Sequence, residues 1–314
     1  MAGRPAQRKI PRRNLSGILL LDKPAGISSN GALQRARFVF GAEKGGHTGN
    51  LDVAATGLLP ICFGEATKTS AWLLDSDKTY IADIALGVTT ASGDAEGEVL
   101  SRMPVTANML AEIPATLSRF VGAQTQIPPM YSALKRDGRP LYELARAGIE
   151  VERNARAIEI KRLQIVAIEG VTLRVEVKCT KGTYIRVLAE DIGAALGCGA
   201  SLCGLRRTAA GPYALERAVP LDLFGTTDWP TAEFDNLLLP IDSALQGMRA
   251  IAVSTPSAAR LRRGQSLNLS RGYPPGPIRI YRADGQFVGL GEAATDQQLL
   301  PRRLIRYEEC SQTS

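Results

Sequence analysis

The chain has 314 residues, 45% of them hydrophobic and 5% aromatic, and a formal net charge of +7. That length suits two domains, one large and one small, and so few aromatics argue against a surface built mainly from stacking rings. The first thirteen residues, MAGRPAQRKIPRR, hold five Arg or Lys and no acid, leaving only +2 for the remainder. Residues 1–14 read as a basic, disordered tail that adds non-specific affinity for phosphates.

Five cysteines (Cys62, Cys179, Cys198, Cys203 and Cys310) without a CxxC point to reduced thiols in a cytoplasmic protein, not to a disulfide frame. One histidine and no paired cysteines argue against zinc. No GxSxG elbow accompanies His47, which speaks against a serine triad. No run of ~18 apolar residues is present to span a membrane, and the run Ile18–Leu21 is too short for a signal segment.

In chain order, Gly17–Leu21 reads as a buried strand stopped by the turn cluster Asp22-Lys23-Pro24-Ala25-Gly26. Ser28, Ser29 and Asn30 offer caps for a helix through about Phe40. A glycine-rich loop, GGHTGNLDVAATG, leads to a strand at Leu58–Phe63, then a helix at Glu65–Leu74 and a strand at Tyr80–Leu86. Met109, Leu110, Ile113 and Leu117 give Thr106–Phe120 a helical period. Ile127–Pro140, rich in proline and basic residues, reads as a long exposed loop before a helix at Leu141–Ala147. Ala157–Ile168 and Val171–Cys179 form a hairpin about Glu169-Gly170. Thr183–Leu196 returns to helical period, and Ser201–Ala209 is a strand. Residues 212–249 are irregular and read as a connector. From Ile251 a short helix (Ser257–Arg263) and short strands (Ile278–Arg282, Phe287–Gly291, Leu299–Arg306) have the texture of a small β-barrel. Helices mixed with hairpins, without regular βαβ alternation, give the class α+β.

Two stretches carry candidate chemistry. Asp52 lies five residues after His47 among glycines that let backbone approach a ligand closely; taken alone, such an aspartate also makes an Asx turn or caps a helix. A lone His47 reads equally as a local hydrogen-bonding group. In KGTYIR (181–186), Tyr184 and Arg186 stand at a strand-to-helix junction, a common place for sites. A cation in the first helical turn faces the positive end of the helix dipole at a cost of roughly 0.3–1 kcal/mol. A carboxylate partner would offset that; the alternative is a side chain pointing to solvent.

The stretch GHTGNLDVAATGLLPICFGEATK resembles the catalytic-loop signature of the bacterial tRNA pseudouridine synthase B family, GHTGxLDPxATGxLPxxxGxATK. LLLDKPAGISSN (19–30), DSDKTY (75–80), PPMYSALKRDGRPLYELARAG (128–148) and KGTYIR followed by LRRT (205–208) resemble the same family in the same order. The resemblance runs from about residue 15 to about 306, and the part around ARLRRGQ (259–265) is similar to the family's PUA-like module. Val53 and Ala54 depart from the family's proline and large apolar residue, which implies a less rigid loop.

The resemblance implies a pseudouridine synthase fold: a central mixed, largely antiparallel sheet flanked by helices over 15–249, and a small PUA-like β-barrel that binds RNA over 250–314. It implies isomerisation of uridine at position 55 in the T loop of tRNA, on a flipped-out base, with no metal or cofactor and no obligate protein partner; a monomer is the default. Asp52 is the implied carboxylate beside the ribose, attacking the sugar directly or assisting proton loss. Arg186 is implied to keep it ionised against burial. Tyr80 lies against the base near uracil C5, with Leu205 on the other face. Tyr184 and His47 are implied to contact substrate, His47 by occupying the gap left by the flipped base or holding the rearranged RNA loop. Lys23 and Pro24 support the catalytic loop, and Lys68 meets phosphate. Lys135, Arg136, Arg139 and Arg146 make the 128–148 segment an RNA clamp. A non-catalytic RNA-binding protein and a two-carboxylate glycosidase are the competing classes; the second needs another acid near Asp52.

Overall fold

The computed structural model describes residues 12–224, 231–269 and 272–307. Most of the stretch read as a tail, residues 1–11, therefore lies outside the described residues. At its end, Arg13 forms an ion pair with Asp235 (2.6 Å) and donates to Phe40 O.

Strand β1 (Gly17–Lys23) shows why a continuous apolar run is needed. Its alternate side chains enter two different cores: Leu19 and Leu21 one, Ile18 and Leu20 the other. Ser28 caps α1 (Ser29–Val39) by accepting from Gly31 N. The helix lays Ala32, Leu33 and Ala36 on Leu59, Ile61 and Phe63. β2 (Gly45–His47) and β3 (Thr56–Phe63) flank the glycine-rich loop and pair with each other. The helix expected over Glu65–Leu74 is divided into a 3-10 turn, Gly64–Lys68, and α2 (Ser70–Asp75), with Thr69 between them.

β4 (Lys78–Leu86) follows, then a small hairpin, β5 (Val88–Thr90) and β6 (Val99–Arg102). α3 (Ala107–Ser118) is capped by Thr106. β7 (Gly122–Gln126) precedes the segment expected to be a loop, which carries a two-residue hairpin, β8 (Lys135–Arg136) with β9 (Arg139–Pro140), and α4 (Leu141–Arg146). The long hairpin of β10 (Arg156–Glu169) and β11 (Thr172–Cys179) turns at Gly170, φ +60°. α5 (Ile185–Leu196) ends at left-handed Gly197, and β12 (Ala200–Ala210) runs back through the sheet.

With β13 (Tyr213–Ala214) and β14 (Val219–Pro220), the order β14-β1-β3-β12-β4-β11-β10-β7 defines a ten-stranded sheet in which β2 adds to β3 and β13 to β12. Its pairs are antiparallel except β1–β14 and β3–β12. The sheet is thus mixed and largely antiparallel, with α1 against one core and α3 and α5 against the other.

The reading of 212–249 as a connector is corrected. β13 (Tyr213–Ala214) and β14 (Val219–Pro220) extend the main sheet, and α6 (Thr231–Asp235) follows. Phe224 and Phe234 stack edge-on at 5.1 Å and both pack on Phe40. Two-residue strands and isolated aromatics leave no period to read.

A second sheet starts at β15 (Ala250–Val253). Ser254 caps α7 (Thr255–Arg262), then come β16 (Leu267–Asn268), β17 (Gly276–Arg282), β18 (Phe287–Ala293) and β19 (Gln298–Leu304). The order β15-β17-β18-β19-β16 makes a half-barrel that buries Ala258 and Leu261 of α7 with Ile278, Ile280, Val288 and Leu299. Phe287, Leu290 and Ile305 instead join Leu245 and Trp72, docking this module on the larger domain. No helix among the described residues is long and apolar enough to cross a membrane.

Candidate active site

The loop between β2 and β3 is held from several sides. Ser29 Oγ accepts from Leu51 N (2.7 Å) and donates to Leu51 O (2.9 Å). Thr48 N donates to Pro60 O. Lys23, completely buried, sends its Nζ to Pro24 O, Ile27 O and Val53 O, and Gly26 N also reaches Val53 O. Both neighbours of Asp52 are therefore fixed through their main chains. That explains how Val53 stands where a proline was expected: its side chain is 43% exposed, and its hold on the fold is its carbonyl.

Arg186 does not point to solvent: it meets Asp52, the carboxylate that the family resemblance implied. Arg186 Nε lies 3.2 Å from Asp52 Oδ2, and Nη1 lies 3.5 Å from Asp94 Oδ2. The guanidinium also donates to Ser92 O (3.2 Å) and Tyr131 O (2.6 Å). It thus joins the first turn of α5 to three distant segments while only 5% exposed. Burial is the largest influence on the Asp52 carboxyl and pushes it above the ordinary carboxylate range; Arg186 and Lys23 pull it down and Asp94 pushes it up.

Around this pair lies a cavity of about 130 Å³, lined among others by Asp52, Tyr80, Ser132, Tyr184, Arg186 and Leu205. Sites for drug-sized ligands run to ~300–1,000 Å³, so this one admits a single planar ring and leaves attached groups outside. Tyr80 and Leu205 reach it from adjacent strands, Tyr80 on β4 facing Arg207 and Leu205 on β12 facing Ala82. Tyr184 stands at the start of α5, its main chain clasped by Gln126, whose Oε1 accepts from Tyr184 N and whose Nε2 donates to Tyr184 O. Burial raises both tyrosine phenols, which leaves them neutral near pH 7.

Three kinds of residue escaped the sequence reading. Asp94 sits in a turn-rich stretch without periodicity. Ser29 was read as a cap, yet it clamps Leu51 while Ser28 does the capping. Arg207 is 1% exposed and donates to Leu58 O, Asn50 O and Gly49 O; its only sequence signal was its place in LRRT.

Three family models tile the chain: TruB family pseudouridylate synthase, N-terminal domain, over 37–185; the tRNA pseudouridylate synthase B C-terminal domain over 186–246; and the pseudouridine synthase II TruB C-terminal model over 250–305. A protein of Pseudomonas putida called tRNA pseudouridine synthase B is 52% identical over 305 residues, covering 96% of this chain and all of its own length. The chain belongs to the TruB family of pseudouridylate synthases. A relative of the same name from Pseudomonas aeruginosa is 48% identical over 96% of this chain and 99% of its own. A chain of a Cbf5–Nop10–Gar1 complex superposes with a TM-score of 0.70 at 24% identity, covering 96% of this chain and 87% of that one; that likeness concerns the fold.

The remaining TruB-like positions fall outside the cavity lining. His47 stands on β2 opposite Ile61, its Nδ1 buried without a hydrogen-bond partner. Burial first, then Arg207, lowers its pKa, so it is neutral at pH 7. Pro24 only presents its carbonyl to Lys23. Lys68 is not brought to the cavity: Nζ is held by Glu65 (2.6 Å) and by Leu304 O (2.7 Å) at the junction with the smaller module. Lys135, Arg136, Arg139 and Arg146 are all exposed and, among the described residues, make no ion pair. Arg136 donates to Glu152 O and Arg146 lies over the Tyr142 ring. Tyr131, Ser132 and Ala133, at the base of the same segment, reach Arg186 or the cavity.

Proposed function

We propose that this pseudouridine synthase isomerises the uridine at position 55 in the T loop of tRNA, with Asp52 acting at the ribose of an extruded nucleotide. The observation that carries this is one carboxylate, ion-paired to a buried guanidinium, at a cavity sized for one ring and bounded by Tyr80 and Leu205. Such a cavity accepts a base only after it leaves the stack, at a cost of a few kcal/mol. The small volume keeps the RNA backbone outside, where the exposed cations of 135–146 supply phosphate contacts.

The reaction breaks the N1–C1′ bond and makes a C5–C1′ bond; the C5 proton leaves and N1 gains one, so the product is an isomer. Asp52 in its anionic form either bonds to C1′ or removes a ribose proton, and both routes need the carboxylate ionised. Tyr80 beside the base is placed to move the C5 proton. No step calls for a metal or cofactor.

The test uses tRNA labelled with tritium at uracil C5. Wild type releases the label; Asp52→Asn binds the RNA and releases none. Turnover of that variant at the wild-type rate would refute the assignment of Asp52.

A further inference from the structure

Arg207 is the largest fully buried side chain of the described residues. Its guanidinium makes no ion pair with a carboxylate among them; it donates to the carbonyls of Leu58 (2.7 Å), Asn50 (3.3 Å) and Gly49 (3.2 Å) and also engages the Tyr80 phenol. Burying an unpaired cation is costly, and an apolar side chain would fill the same space at less cost. A merely structural purpose therefore does not account for the charge.

Its surroundings do. Two of the three carbonyls belong to the loop that presents Asp52, two and three residues ahead of it. Arg207 is also the direct cross-strand partner of Tyr80 in the β4–β12 pair, and its charge pulls the phenol's pKa down against burial. Its other neighbour, Gly57, approaches so closely that a Cβ there would stand 2.3 Å from Arg207 O. The arginine's main chain is thereby locked against β3 while its fork reaches the loop. Two parts of the cavity lining, the loop and the tyrosine, meet in this one side chain.

We propose that Arg207 is a positioning residue of the reaction: it fixes the Gly49–Asn50 main chain and the Tyr80 ring relative to one another, and so sets Asp52 against the extruded uridine. This rests on the function proposed above. A lysine is a mild replacement, because Lys23 and Lys78 already sit buried in this fold, each donating to three carbonyls. It keeps a charge but loses the planar fork.

The experiment measures single-turnover C5 label release, RNA Kd, Tm and the pH profile for wild type, Arg207→Lys and Gly49→Ala. The second variant perturbs the loop end of the same contact: Gly49 has a φ of +132°, which an alanine strains, while its Cβ would lie in ordinary contact, 3.4 Å, with Arg207 Nη1. Both variants are expected to bind RNA with unchanged Kd and to slow single-turnover release by about 100-fold, the scale of a misplaced catalytic group. The acid limb of the profile stays in place, because Arg207 is not among the groups that shift Asp52. Release at the wild-type rate by either folded variant overturns the inference, as does a shifted acid limb, which would mean action through the charge of Asp52. Should Arg207→Lys not fold, Arg207→Gln, which keeps a planar donor group, is measured in its place. A wild-type enzyme that releases no label would instead remove the underlying function.

Discussion

Replacing Arg186 by methionine keeps the unbranched apolar stem as far as the position of Nε and removes the charged fork. Asp52 and Asp94 then lose their shared partner, and Ser92 O and Tyr131 O lose a donor. Removing one member of a buried ion pair costs ~3–5 kcal/mol. The Asp52 side chain is 43% exposed and Asp94 18%, so part of the loss is recovered from water and the low end, ~3 kcal/mol, applies. At 2–4 °C per kcal/mol for a domain of this size, Tm falls by about 6–12 °C. Without the guanidinium, the pKa of Asp52 rises further, because the pull that partly offset burial is gone. With Asp52 acting as the anion, as proposed, the acid limb of kcat/KM moves to higher pH. Thermal unfolding and single-turnover label release across pH, both with tRNA transcript, read these effects. An Arg186→Met protein with wild-type Tm and an unmoved acid limb would show that the pair does not organise the site.

Asp52→Asn separates stability from activity. The fold raises the pKa of Asp52, so it favours the protonated carboxyl; that preference is complete below the unfolded pKa and is lost as pH rises through the folded one. At pH 7 the amide variant should therefore melt no lower than wild type while turnover disappears, and a lower Tm would contradict it. Lys23 and Lys78 are each lowered to about 8 by burial. The unfolded chain then binds more protons, and the urea midpoint should rise between pH ~8 and ~9. Above that, Cys62 and Cys179, pushed up to about 12 and about 11, oppose the rise; a midpoint that falls from pH 8 to 9 refutes the assignment. For the clamp, alanine at Lys135, Arg136, Arg139 or Arg146 should weaken RNA binding and flatten the plot of log K against log salt by ~0.7–0.9 per lost phosphate contact. Single-turnover release at saturating RNA should stay unchanged, and an unaltered salt slope would remove that residue from the clamp.

The parts of the molecule legible in sequence were those with a period or a cap. β1, α1, α5 and the β10–β11 hairpin announce themselves through apolar spacing, Ser28 and Gly170. The Asp52–Arg186 pair was legible through the family resemblance; the helix dipole alone left Arg186 either paired or pointing to solvent. Asp94 and Arg207 were not legible, because what makes them matter is tertiary. Asp94 reaches the site through an isolated bridge to Leu202. Arg207 is one of several arginines in the sequence until β12 turns it inward against Tyr80. The net direction of the Asp52 shift was beyond sequence too, since it depends on how burial balances one near cation against a second acid. Lys68 shows what a motif leaves out: the fold also holds its Nζ against Glu65 and Leu304 O, at the junction of the two domains.

The most direct measurement is carbodiimide derivatisation and primer extension of one unmodified tRNA transcript after treatment with wild-type protein or with Asp52→Asn. The account predicts a single new stop at the T-loop uridine, position 55, with wild type and none with the variant. No stop with wild type, a stop elsewhere in the tRNA, or an equal stop with the variant would contradict it.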